Sequence, residues 1–245
     1  MNTFKQAYSL YAEQLFMAVA ILLGFVLPIQ LIHHFALGNF AYMDWSQTPV
    51  LVKIMDAGLY LLEIWLVQIP FISLAAQKAK GKKATIREVL HSTIVYLVPV
   101  CAVGVLYTLG VLLGLTLLIL PGCLLLILLL LYPQVAVVEG LTVRLGLKRA
   151  FYLGKVHFVQ LSVLIVSFVL VESLVALFLQ YGLGSQTQLS ILLPLRLVLQ
   201  SLLLPLFAFI VTLKYVEWDK VVSPEQILQE QINDRIREVF ARKEA

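Results

Sequence analysis

The 245 residues are 61% hydrophobic and 13% charged, with a formal net charge of +4. A soluble domain carries about 25% charged and about 45–50% apolar residues, and one of this length could not bury so much aliphatic surface. The balance excludes a soluble globular protein and a nucleic-acid groove, since no basic stretch is interleaved with aromatics, and predicts an all-α, polytopic membrane helix bundle.

Residues 1–14 read as a short interfacial helix with Phe4, Tyr8 and Tyr11 as anchors. The first span is expected over Leu15–Ala36, bent at Pro28. Its apolar run is too long for a signal peptide and no small-residue cleavage site follows, so it reads as a retained span. His33 and His34 at its end could join Asp44 as metal ligands. Adjacent residues on a helix point apart, however, so the pair reads as interfacial polar residues and no metal site is expected. Tyr42 and Trp45 in the following loop suit an interfacial belt.

The second span, Val50–Ala76, is the most polar, with Lys53, Asp56, Glu63 and Gln68. The loop after it carries Lys78, Lys80, Lys82, Lys83 and Arg87, and Thr85 with Glu88 has the spacing of a capping box. The third span is expected over Ser92–Leu120, where Gly110 and Gly114 permit close helix packing. A tight turn is expected at Pro121-Gly122. The fourth span follows over Cys123–Val138 with Pro133 kinking it, and Glu139-Gly140 ends it. Cys101 and Cys123 lie too far apart in depth for a disulfide and read as buried free thiols.

Residues 141–155 read as an amphipathic elbow helix, and Arg144, Lys148, Arg149 and Lys155 complete the basic surface. The fifth and sixth spans are expected over Val156–Gln180 and Ile191–Val216. The bundle is thus assigned to residues 1–216 and an amphipathic tail to 217–245. In that tail Ser223-Pro224 starts a helix bearing an apolar stripe through Ile227, Leu228, Ile232, Ile236, Val239 and Phe240. Sixteen of the eighteen Lys and Arg residues fall at the termini or in alternate loops, which predicts both termini in the cytoplasm and an even number of spans, six.

Among the ionisable residues within expected spans, five stand out: Lys53, Asp56, Glu63, Glu172 and Arg196. Each costs about 2.5–3.5 kcal/mol at the bilayer centre on the lenient scale, so each calls for a partner or a function. Lys53, Asp56 and Glu63 share a helix face; Lys53, Asp56 and Arg196 lie near the outer ends of their spans and Glu172 in the outer half of the fifth. Together the five, of which only Glu63 is not in the outer part of its span, form a candidate polar pocket open to the extracytoplasmic side for a substrate, an ion, a lipid headgroup or a proton, or else internal ion pairs that fix packing. Glu63 is the deepest carboxylate. No catalytic signature such as H-E-x-x-H, G-x-S-x-G or a P-loop occurs, and no cofactor is expected.

From Leu120 the chain reads Leu-Pro121-Gly122, Tyr132-Pro133, Val138-Glu139-Gly140, Leu147-Lys148-Arg149-Ala150 and Gly154-Lys155. These motifs, with the loop at Lys80-Gly81-Lys82, resemble a widespread bacterial membrane family. It includes the integral-membrane domain ahead of some glycerophosphodiester phosphodiesterases, and stand-alone inner-membrane proteins. The resemblance covers about forty residues. It implies six helices, an elbow after Glu139 and a place in the bacterial cytoplasmic membrane, while Pro121, Gly122, Pro133, Glu139 and Gly140 have plain structural readings and are taken as architectural. Ala150 stands where many members carry Ser, and no stretch here resembles the phosphodiesterase domain. The leading expectation is a non-enzymatic accessory or scaffold module in envelope or lipid-related processes. Its partners would be membrane lipids and a protein docked on the tail helix. A small transporter with an outward-facing polar cavity is the alternative, and a membrane-embedded enzyme the third reading.

Overall fold

The structure, a computed structural model, describes residues 3–36, 49–81, 84–182 and 189–221; the side chains of 34–36, 180–182, 189–197, 200, 220 and 221 fall outside that description. The described residues are helical apart from short connections, and no strand occurs among them. Among these residues six helical segments are long and apolar enough to cross a membrane, and the chain is a multi-pass integral membrane protein.

Helix α1 spans Thr3–Glu13. The first span is built from α2 (Leu15–Ile21), a π-helical turn (Leu22–Val26) and α3 (Leu27–Ala36). The π turn is the local consequence of Pro28. Proline has no N–H, and its ring would press on the carbonyl four residues back in a regular helix. The widened turn, in which the Leu27 N–H bonds the Leu22 carbonyl, relieves that conflict. The bend expected at Pro28 is therefore taken up just before it.

The second span is α4 (Val50–Ala79), ending at Lys80 and Gly81. It is the most buried of the six and packs against α3, α5, α7 and α10, introduced below. Polar residues at membrane depth need protein partners, so the most polar span takes the centre. Helix α5 (Ile86–Leu117) starts as its capping box specifies: the Thr85 hydroxyl accepts from the Glu88 N–H at 3.4 Å.

The turn between the third and fourth spans is not at Pro121-Gly122. It is a single extended residue, Leu118, and both residues lie inside α6 (Ile119–Leu128). Proline is tolerated in a first helical turn, where N–H groups are unpartnered anyway. Gly122 serves close approach instead: its backbone lies against Gly114 of α5, and a methyl on either would press into the other helix. The Gly110/Gly114 pair thus joins neighbouring spans of one chain. Gly122→Ala adds helix propensity worth under about 1 kcal/mol, against overlap with the Leu115 backbone that only helix separation relieves. Overpacking dominates, and a loss of about 1–3 kcal/mol is expected in unfolding measurements in detergent.

The fourth span breaks at Leu129–Leu131 and resumes as α7 (Tyr132–Glu139), so Pro133 opens a new helix rather than kinking a continuous one. Gly140, in the left-handed region at φ 66°, caps it. The elbow is α8 (Val143–Val156), followed by α9 (Phe158–Gly182) and α10 (Leu189–Val221). Helix α10 runs five residues beyond the bundle boundary expected at 216. Trp65 of α4 stacks on Tyr107 of α5 and Tyr132 of α7, with ring centroids at 4.2 and 5.7 Å, and these rings form the centre of the core. Helix α9 by contrast leaves Val159, Val163, Val166, Leu170, Leu174 and Leu177 exposed, a face suited to lipid.

The first and last described helices, α1 and α10, meet at one end of the bundle. Thr3 donates to Glu217 of α10 at 3.3 Å, and Lys78 pairs with Glu13 at 3.3 Å. This basic end also carries the exposed residues Lys80, Arg87, Arg144, Lys148 and Lys155. Lys82, Lys83, Asp44 and the tail helix with its stripe lie outside the described residues. Cys101 is half-buried, whereas Cys123, expected to be buried, is exposed on α6; both are free thiols.

Candidate functional site

The charged face of α4 acquires its meaning from α3. His33, read from sequence as an interfacial residue, points into the bundle between two acids of α4. Its Nδ1 lies 2.6 Å from Glu63 Oε2 and its Nε2 lies 3.1 Å from Asp56 Oδ1. The two acids are seven residues apart, two turns along one face, so they flank the ring on its two edges. The Glu63 side chain is 8% exposed and that of Asp56 44%, which gives the chain of groups one buried end and one open end.

One turn before His33 on α3, Gln30 accepts from the Ser201 hydroxyl of α10 at 2.6 Å, and both are buried. This bond fixes α3 against α10 and thereby sets the ring's position. The π turn contributes too. A widened turn shifts everything after it by one residue relative to a regular helix, about 100° of rotation. A regular helix from α2 onward would put Ile32 where His33 now stands.

The hydrogen-bond chemistry follows from counting protons. A neutral imidazole donates from one nitrogen and accepts at the other. Two short contacts to two carboxyl groups therefore need either an imidazolium donating to both, or a neutral ring with one carboxyl protonated. Both forms hold one more proton than a neutral ring between two carboxylates, so the three groups can hold and pass on a shared proton. Because the acids lie on opposite edges of the ring, their oxygens do not converge on one point as metal ligands must. No converging group of three metal-ligating side chains occurs among the described residues.

The remaining residues of the expected pocket are distributed around this unit. Glu172 of α9 accepts from the Tyr60 hydroxyl of α4 at 2.6 Å, one turn from Asp56. Lys53 is half-buried three residues before Asp56. Arg196 lies on α10, with its side chain outside the description. Deeper, Gln134 of α7 donates to Gln68 of α4 at 3.2 Å inside the core.

A second ionic centre holds the basic end together. Arg149, counted from sequence among the surface cations, is 4% exposed. Its Nε donates to Glu139 at 3.3 Å and its NH2 group donates to Asp219 at 2.5 Å, while the Tyr215 hydroxyl donates to Glu139. Helices α7, α8 and α10 are tied by this one guanidinium. The partner of Glu139 is thus Arg149 of the elbow.

Beside that centre, His157 at the end of α8 stacks on Trp218, with ring centroids 4.2 Å apart. Burial, reinforced by the Lys214 ammonium, holds its pKa below the usual 6.5. The unfolded chain therefore takes up this proton first as pH falls. Stability is expected to decline below about pH 6.5, until the folded-state pKa is passed. Comparing wild type with His157→Phe, which keeps the stack, isolates the effect: the difference in melting temperature between about pH 7.5 and pH 5 should shrink in the variant.

Compared with family models, curated proteins and solved structures, the chain matches none.

Proposed function

We propose that this protein is a small, non-enzymatic, proton-conducting membrane transporter, loaded with its proton from the extracytoplasmic side. The basic end is assigned to the cytoplasm of a bacterial cell, because Lys and Arg collect on the side that is not translocated. That places both termini inside and Asp56 toward the outside. The observation that carries the reading is the imidazole of His33 held between one open and one buried acid. A proton arriving on Asp56 can pass to Nε2 while the proton on Nδ1 passes to Glu63, so one charge moves inward; the ring is left as the opposite tautomer and turns over before the next transfer. Ion pairs that serve packing alone need no such graded access, and histidine suits the task because small environmental changes move it between charge states.

The test uses the proton itself as probe. Full-length protein in liposomes loaded with a pH-sensitive dye is given a potassium-diffusion potential, negative inside. Internal acidification faster than in protein-free liposomes, and lost in Glu63→Gln, is the expected result. An acidification rate equal to that of protein-free liposomes removes the reading.

The scaffold reading, first on sequence grounds, keeps one observation in its favour. A cleft of about 540 Å³ opens at the basic end between α1, α4 and α10, lined by polar side chains such as Gln6, Glu13, Lys78 and Glu217 and by apolar ones such as Leu213 and Val216. If proton movement is absent, this cleft is the place to look for a docked partner.

A further inference from the structure

Helix α8 has two unlike faces. Toward the bundle it lays Gly146, Arg149, Ala150 and Leu153, all buried, and Arg149 fixes the roll of the helix through Glu139 and Asp219. On the opposite side stand Arg144, Lys148 and Lys155, which at 100° per residue fall within about 40° of one another. All three are exposed, and α8 contains no acidic residue to offset them.

The apolar residues around these cations identify the surroundings. Phe151 sits among them and is 47% exposed, and Leu145 and Val156 border them, equally uncovered. A face turned wholly to water has no use for a phenyl ring and two aliphatic side chains. A face turned wholly to acyl chains would not hold three cations. Both demands are met at the boundary of the bilayer, where apolar side chains enter the acyl region and basic ones reach up to the phosphates.

We infer that this face of α8 binds the headgroups of anionic phospholipids in the leaflet at the basic end of the bundle. The positive charge is pre-arranged: the ties of Arg149 hold the helix in one orientation, so no ordering of the elbow is needed when lipid binds. The inference is independent of proton transport at His33 and stands or falls separately.

The test measures headgroup selectivity. Full-length protein is placed in phosphatidylcholine bilayers, and the association of spin-labelled phosphatidylglycerol is compared with that of spin-labelled phosphatidylcholine. Wild type should prefer phosphatidylglycerol, with a preference that weakens as salt is added. Each of Arg144→Gln, Lys148→Gln and Lys155→Gln should lower the preference by roughly fivefold at low salt. The triple variant should abolish it, whereas Arg144→Lys/Lys148→Arg/Lys155→Arg should retain it. Lys80→Gln/Arg87→Gln, which removes exposed cations elsewhere at the same end, should leave it nearly intact. An unchanged preference in the three single variants, or an equal loss in the Lys80/Arg87 control, overturns the inference, because the attraction would then belong to the overall charge of that end.

Discussion

Glu63→Gln is expected to reduce potential-driven proton uptake by on the order of a hundredfold, the lower range for losing a positioned proton-transfer group. Glutamine keeps the shape and can still bond to His33 Nδ1, 2.6 Å away in the wild type, but it cannot accept and return a proton. The fold should tolerate the change, at about 1–3 kcal/mol for the weakened buried contact. His33→Phe should be as severe for flux, because the link between the acids is cut while the ring volume is kept. Asp56→Asn should be the mildest of the three. With 44% of its side chain exposed, water can deliver a proton to Nε2 in its place. A flux order in which Asp56→Asn is worst and Glu63→Gln near wild type would reverse the assigned direction of access.

The largest structural effect is expected at Arg149. Replacement by Met leaves Glu139 and Asp219 without their shared cation, and Tyr215 alone cannot neutralise them. Removing one member of a buried ionic cluster costs about 3–5 kcal/mol. The 34% exposure of Asp219 places this case at the lower end of that range. Arg149→Lys should recover only part, since an ammonium cannot serve two carboxylates with the planar fork of a guanidinium. Arg149→Met combined with Glu139→Gln and Asp219→Asn should recover most of the loss, because the unpaired charges go with the cation. Unfolding in mixed micelles would measure each. A cost below about 1 kcal/mol for Arg149→Met alone would mean that the cluster contributes little beyond a surface pair.

The spans, their order and the helical class were legible because a bilayer leaves hydropathy and charge asymmetry as strong signals. Thr85 with Glu88 and Glu139-Gly140 were equally readable, since caps are local. Glu63 and Asp56 stood out as carboxylates on one face of an apolar helix. His33 did not, for two physical reasons. Its partners are 23 and 30 residues away, and the π turn that rotates it inward leaves no periodicity to read. Gln30 three residues earlier was the one available hint, a second polar side chain on the same face.

Arg149 could have been placed correctly from the helical wheel. It falls about 140° from Arg144, on the side of Gly146, Ala150 and Leu153 rather than with the other cations. Counting it by sign alone put it on the surface. Pro121-Gly122 was misread because a Pro-Gly pair signals a turn in most contexts. Proline in a first helical turn and glycine at a helix crossing are the competing rules, and here both prevailed.

The central claim, that Glu63 exchanges a proton with the extracytoplasmic side through His33, is tested most directly by infrared difference spectroscopy. The protein is held in a supported bilayer with its basic end toward the support, and the spectrum is recorded as the pH of the free side is switched. The expected result is a carboxyl band that Glu63→Gln removes and His33→Phe suppresses. Superimposable difference spectra for wild type and Glu63→Gln would contradict it, and would leave Asp56, His33 and Glu63 as an ionic tie between two helices.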